Sequence, residues 1–245
     1  MKKFVSLLLS VSMLFGLSGT TYAATNKMST NDFLLNTGMT QQQIDIIDPD
    51  IREYIVESLK MNALGKKLEF IETEEVAMQE PRMNQVLSGI NFSVSSWKSG
   101  STIYIYPTYE FTTAKRPKGQ DSFSFQLGDA MRPHTYGGKL WYKMDSDDSW
   151  ESDSDAKLVA NTQTMNGAEY SGKQLGTSDF KIYLKGCAYA HANVGTGTDT
   201  RIIMSYMHNP NKKNYSLSFS AYGVGISYSS SGTIYTAAKT VVLSY

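Results

Sequence analysis

The sequence predicts a mainly β protein, an antiparallel β-sandwich or barrel-like sandwich, preceded by a short α-helical N-terminal segment. Three observations predict it. From Ile90 onward apolar residues recur with a period of two, as in Ile90, Phe92 and Val94 alternating with Asn91, Ser93 and Ser95. Polar turn clusters separate these runs, among them Ser99-Gly100, Gly137-Gly138, Gly195-Thr196-Gly197, Asn209-Pro210-Asn211 and Ser231-Gly232. Before residue 63 the spacing is helical instead, with Ile51, Tyr54, Ile55 and Leu59 at offsets of three and four.

In chain order, residues 1–23 read as a secretory signal peptide. Lys2 and Lys3 open it, Phe4 to Leu17 is an apolar run broken only by serines and one glycine, and Thr21-Tyr22-Ala23 puts small residues where a signal peptidase reads. Residues 24–62 form the helical segment. Thr30 is positioned to cap a short turn through Phe33, Leu34 and Leu35 that Gly38 ends. Thr40 and Gln43 have capping-box spacing. Asp48-Pro49 is a second start signal, a capping side chain followed by proline at the first helical position. Such short helices are not stable alone and must pack on something. Residues 63–89, with Glu69, Glu72, Glu74, Glu75 and then Pro81, read as a solvated linker. Residues 90–245 are the β-sandwich domain. Its further runs are Ile103–Tyr106, Phe123–Leu127, Leu140–Met144, Ile182–Leu184, Ile202–Met207, Tyr215–Ala221, Val224–Tyr228 and Thr233–Leu243.

Charge narrows the partners. The 23 basic residues match the 23 acidic ones, and losing Lys2 and Lys3 with the leader leaves a balance of 21 against 23. Near neutrality argues against nucleic acid and against an anionic membrane as an electrostatic target. Cys187 is the single cysteine, so no internal disulfide forms and a buried apolar thiol is expected. No run of ~18 apolar residues follows the leader. The expectation is a secreted, extracellular protein without a membrane anchor.

Catalytic motifs are not visible: H-E-x-x-H, G-x-S-x-G and G-x-x-x-x-G-K-[ST] are absent from the chain. His134, His191 and His208 share no metal-ligand spacing. Cys187 and His191 share a strand face, but four strand residues span about 13 Å, beyond hydrogen-bond reach. A secreted hydrolase whose carboxylates meet only in the fold is therefore an alternative without a motif behind it.

Three features bear on binding. Asp145, Asp147 and Asp153 stand at alternate positions in an acidic stretch that echoes the start of a calcium loop. Trp150 occupies the place of the required glycine and Ala156 that of the bidentate glutamate, so the stretch is no EF-hand and a solvated loop is preferred. Trp97, Trp141 and Trp150 lie near turns or strand ends. A place in the core is the commoner reading for any one tryptophan; half-exposed there, they would stack on sugar rings, which makes cell-envelope or extracellular polysaccharide the first expected partner. Last, Asn214 to Ala238 carries no charge. Leu217 and Phe219 alternate with Ser216, Ser218 and Ser220, and the apolar parity then shifts to Tyr222, Val224, Ile226 and Tyr228 around Gly223 and Gly225. Serine alternating with apolar residues fits a soluble sheet with a wet face. It is also the pattern of the hairpin of a membrane-active, pore-forming toxin, each arm of which needs ~9–11 residues, and the soluble sheet is the preferred reading.

Taken whole, with stretches such as Ala221-Tyr222-Gly223-Val224-Gly225-Ile226-Ser227, the chain resembles exported β-rich proteins of Gram-positive bacteria that join a short helical part to a Tyr/Ser/Gly-rich β part. That resemblance implies export and a β fold, and it implies no site residue. The expectation overall is a non-enzymatic binding protein with no required cofactor.

Overall fold

The computed structural model describes residues 28–76, 85–114, 119–153, 157–158, 167–171, 181–211, 214–220 and 225–245. The expected leader at 1–23 lies outside the described residues.

Local capping chemistry builds the helical segment. Helix α1 (Thr30–Asn36) is capped by Ser29, one residue before the expected Thr30, through a bond from the Asp32 amide of 3.1 Å. Gly38, at φ 99°, turns the chain after it. Helix α2 (Gln41–Asp45) has the full capping box: Thr40 N–H donates to Gln43 Oε1 at 2.8 Å and the Gln43 amide donates back to Thr40 Oγ1 at 3.3 Å. Helix α3 (Pro49–Asn62) starts where Asp48 Oδ1 accepts from the amides of Asp50 and Ile51.

The strands follow as β1 (Glu69–Val76), β2 (Gln85–Val86), β3 (Ile90–Ser99), β4 (Thr102–Phe111), β5 (Gln120–Leu127), β6 (Met131–Met144), β7 (Glu151–Asp153), β8 (Lys157–Leu158), β9 (Gly167–Ser171), β10 (Ile182–Val194), β11 (Arg201–Asn209), β12 (Tyr215–Phe219), β13 (Ile226–Ser230) and β14 (Tyr235–Ser244). All but β12 and β13 join one sheet in the order β7-β6-β10-β4-β3-β1-β14-β11-β5-β9-β8, with β2 parallel to β14. Its other pairings are antiparallel, as expected. The linker reading of 63–89 is corrected here. Glu69–Val76 is a strand whose first residues pair with β3 and whose later ones pair with β14. Its glutamates are exposed while Ile71 is buried, so an acidic run that resembles a linker is part of the strand joining the two halves of the sheet.

At β1 the sheet curls, and its halves face each other across the main core. Rings from both halves meet there: Tyr109 of β4 lies 4.8 Å from Phe123 of β5 and 4.9 Å from Tyr206 of β11. The result is a sandwich made from one curled sheet.

Both outer faces are covered, which a simple wet-outside sandwich does not anticipate. On one, the helices pack over β3, β4, β6 and β10, where Leu34, Ile44, Ile51, Ile55 and Leu59 meet Trp97, Tyr104, Tyr106, Trp141 and Cys187. On the other, the separate β12–β13 hairpin packs through Ile226 and Tyr228 on Ile203 and Met207 of β11. Among the described residues no helix is long and apolar enough to cross a membrane.

Candidate functional site

The tryptophans do not form a surface platform. Trp97 is fully buried beneath the helices: Nε1 donates to Thr37 Oγ1 at 2.8 Å, and the ring meets Phe70 and Tyr106 edge to face. Trp141 is buried as well, edge-on to Tyr54. The expectation of half-exposed rings fails for both, because the strand face that carries them is roofed by helices. Trp150 is half-buried, with the Lys185 ammonium 4.0 Å from its ring centre and Lys143 5.4 Å away. Cations therefore already lie on the ring offered for sugar.

The acidic stretch follows β6 as an exposed turn. The Asp145 amide donates to the Lys181 carbonyl at 2.9 Å, and Asp145 and Asp147 both face solvent. The side chain of Asp153 lies outside the described residues. Among the described residues no group of three or more His, Cys, Asp or Glu side chains is arranged to hold a metal.

Carboxylates do converge at Lys185. Its ammonium, buried completely, donates to Asp48 Oδ1 and Asp50 Oδ2, each at 2.6 Å. Burial, and then the neighbouring Asp48, raises the Glu110 carboxyl, with Lys185 opposing. The cluster pins the first turn of α3 to β10. The sequence conceals it, since Lys185 reads as an ordinary outward residue of an alternating strand. Cys187 and His191 share that outer face without touching chemistry: burial pushes the Cys187 thiol far up, away from thiolate character.

The hairpin has an unusual construction. Leu217 pairs with Tyr228 and Phe219 with Ile226, so the parity shift read in the sequence keeps all the apolar side chains on one face. Tyr215, Leu217, Phe219, Ile226 and Tyr228 point to the body. Ser216, Ser218, Ser227 and Ser229 are exposed on the other face, with hydroxyl pairs Ser216–Ser229 at 2.6 Å and Ser218–Ser227 at 2.7 Å. Residues 221–224 lie outside the described residues; the Ser220 amide donates to the Gly225 carbonyl at 2.7 Å where the arms approach the tip.

Beside Ile203 and Met207, the surface beneath the hairpin is polar. The outward residues of β5 are Ser122, Ser124 and Gln126, all buried. Gln126 Nε2 donates to the Ser220 carbonyl and its Oε1 accepts from the Gly225 amide, both at 2.8 Å. Ser124 is hydrogen-bonded to the Tyr228 hydroxyl. Glu169 of β9, 1% exposed, accepts from the Ser122 and Tyr215 hydroxyls. Burial raises the Tyr215 and Tyr228 hydroxyls well above their ordinary range, so both are protonated, and Tyr215 donates to Glu169. Gly167 is required for contact, because a Cβ there would come within 2.9 Å of the Phe219 ring. Beside β13 lies a groove of about 460 Å³ bordered by Ile226, Tyr228, Leu87, Ile90 and Lys239. Sequence reasoning found the hairpin and missed its seat, because Gly167–Ser171 is too short and mixed to show a period.

Fold and site together define a curled β-sandwich that carries an uncharged amphipathic hairpin on one outer face. No protein-family model matches the chain, and no curated protein matches it in sequence. Among solved structures, it is similar to the collagen-binding subdomain ACE19 of an Enterococcus faecalis surface protein, at 7% identity and a TM-score of 0.32 over 58% of this chain and 88% of that one. It is similar to a pore-forming protein at 9% identity and 0.38, covering 72% and 92%. It is also similar to the Fap1 fimbrial adhesin of Streptococcus parasanguinis at 12% and 0.33, covering 73% and 94%.

Proposed function

We propose that the protein is exported and acts by binding a lipid bilayer, which its β12–β13 hairpin enters. One observation carries the reading: the hairpin lies outside the main sheet with an apolar face down, a serine face up and a seat beneath it that is polar on β5 and β9 and apolar at Ile203 and Met207 of β11. Leaving such a seat exposes Ser122, Ser124, Gln126 and Glu169 to water, which solvates them well, and sets against that gain the exposure of Ile203 and Met207. The hairpin's own apolar face then needs a new apolar partner, and hydrocarbon supplies one. Asn214 to Ile234, the uncharged residues ahead of β14, number 21 and include both arms of the hairpin. The near-neutral charge of the chain points to entry by apolar contact rather than by electrostatic attraction.

Dye release from lipid vesicles tests this. The parent protein is expected to cause release, and Ile226→Asp, which puts a charge on the lipid-facing side, to reduce it at least tenfold while leaving the far-UV dichroism intact. No release by the parent protein from vesicles of several compositions would remove the reading. Polysaccharide as the partner now rests on Trp150 alone. Retention on cell-wall polysaccharide that falls with Trp150→Ala would bring it back.

A further inference from the structure

We propose that the exposed serine face of the hairpin, formed by Ser216, Ser218, Ser227 and Ser229, is the wall of a conducting lumen, making these four positions the ones that determine which ions pass. The inference rests on the insertion reading and adds to it what the inserted hairpin conducts and where selectivity is decided.

A membrane barrel alternates strictly, with lipid-facing apolar residues and lumen-facing polar ones. The hairpin already has that division. Its ladder fixes Leu217, Phe219, Ile226 and Tyr228 on one side and the four serines on the other. Strand pairing does not change when the hairpin leaves its seat, so the faces keep their partners. One hairpin supplies two strands, whereas closed membrane barrels begin at about eight, so several copies contribute. The edges allow it: β12 and β13 ladder only with each other among the described residues, and neither carries charge or proline, the usual blocks to edge pairing.

The chemistry of the wall follows from its composition. Selectivity among ions of opposite sign arises from rings of side-chain charge. This wall offers hydroxyls alone, which are both donors and acceptors and solvate either sign. The nearest charged residues in the sequence are Lys213, two residues before β12 begins, and Lys239, which belongs to β14, so β12 and β13 themselves carry none. The class of solute is therefore small hydrated ions of both signs, and a single charge placed at one of the four serines dominates the preference.

Planar bilayer recordings in asymmetric potassium chloride test it, with vesicle dye release run in parallel. Ser218→Asp is expected to raise the cation-to-anion permeability ratio several-fold and Ser218→Lys to lower it several-fold, at a single-channel conductance close to the parent's. Leu217→Asp, one residue away on the opposite face, is expected to lower the frequency of channel appearance instead. Discrete channels whose reversal potential is the same for both Ser218 variants would overturn the assignment while the insertion reading stands. Dye release without discrete conductance would do the same. No dye release and no conductance would remove both.

Discussion

His191 shows how a single side chain carries the cost of the covered sheet face. It lies on the outer face of β10, 4% exposed, stacked on Tyr189 at 4.9 Å and edge-on to Tyr104 at 5.0 Å. Its Nε2 is buried without a partner among the described residues. Burial, helped by the nearby positive charge of His134 and Lys66, pushes its pKa down from 6.5 to about 4. The unfolded chain takes up the proton first, so the stability His191 permits is complete above about 6.5 and is lost as pH falls towards 4. The full loss is on the order of 3 kcal/mol. Urea midpoints at pH 7 and pH 4.5 should therefore diverge for the parent protein. They should diverge clearly less for His191→Phe, which keeps the ring and removes the titration. An equal acid loss in both would place the sensitivity elsewhere. None of this is legible in the sequence. A histidine in an alternating strand gives its face by parity, and parity cannot tell whether that face is wet or roofed. The same ambiguity misplaced Trp97 and Trp141.

At the scale of elements, what was readable depended on how local the determinant is. The capping box at Thr40 and Gln43 and the Asp48-Pro49 start involve residues at most three apart, and both stand in the structure as read. The period-two runs located most of the strands for the same reason, although β4 and β6 extend beyond them. Strand β1 failed because its identity is tertiary: it is a strand by virtue of β3 and β14, which lie far along the chain. The hairpin is local in its own ladder and weakly tied to the body, and that difference predicts its dynamics. Its link to the sheet is side-chain contact and a few bonds from Gln126, Ser124 and Glu169, with no strand ladder. Strand β11, by contrast, is laddered on both sides by β5 and β14. Native-state hydrogen exchange should therefore show the amides of β12 and β13 opening together while those of Ile203, Met204 and Ser205 stay protected. Exchange of all of these in one cooperative step would mean that the hairpin is an integral layer.

Across the whole molecule, the two outer layers differ in what they cover. The hairpin covers Ser122, Ser124, Gln126 and Glu169 together with Ile203 and Met207. The helices cover Trp97, Tyr104, Tyr106, Trp141 and Cys187, a nearly continuous apolar and aromatic face. They are fastened by polar contacts that need both layers: Lys185 to Asp48 and Asp50, Trp97 to Thr37, and the Tyr106 hydroxyl to Ser58 Oγ at 3.0 Å. Removing the helices would leave a buried-type lysine and two indoles facing water, and an exposed apolar patch of that kind drives association. The segment at 28–62 is thus expected to stay with the domain. Deleting residues 24–62 should give a chain that binds a hydrophobic dye strongly and aggregates on size exclusion. Mass spectrometry of the protein recovered from culture medium should find the segment still attached. A soluble, monomeric truncation that still releases dye from vesicles would reverse this assignment and make the helices a removable cover.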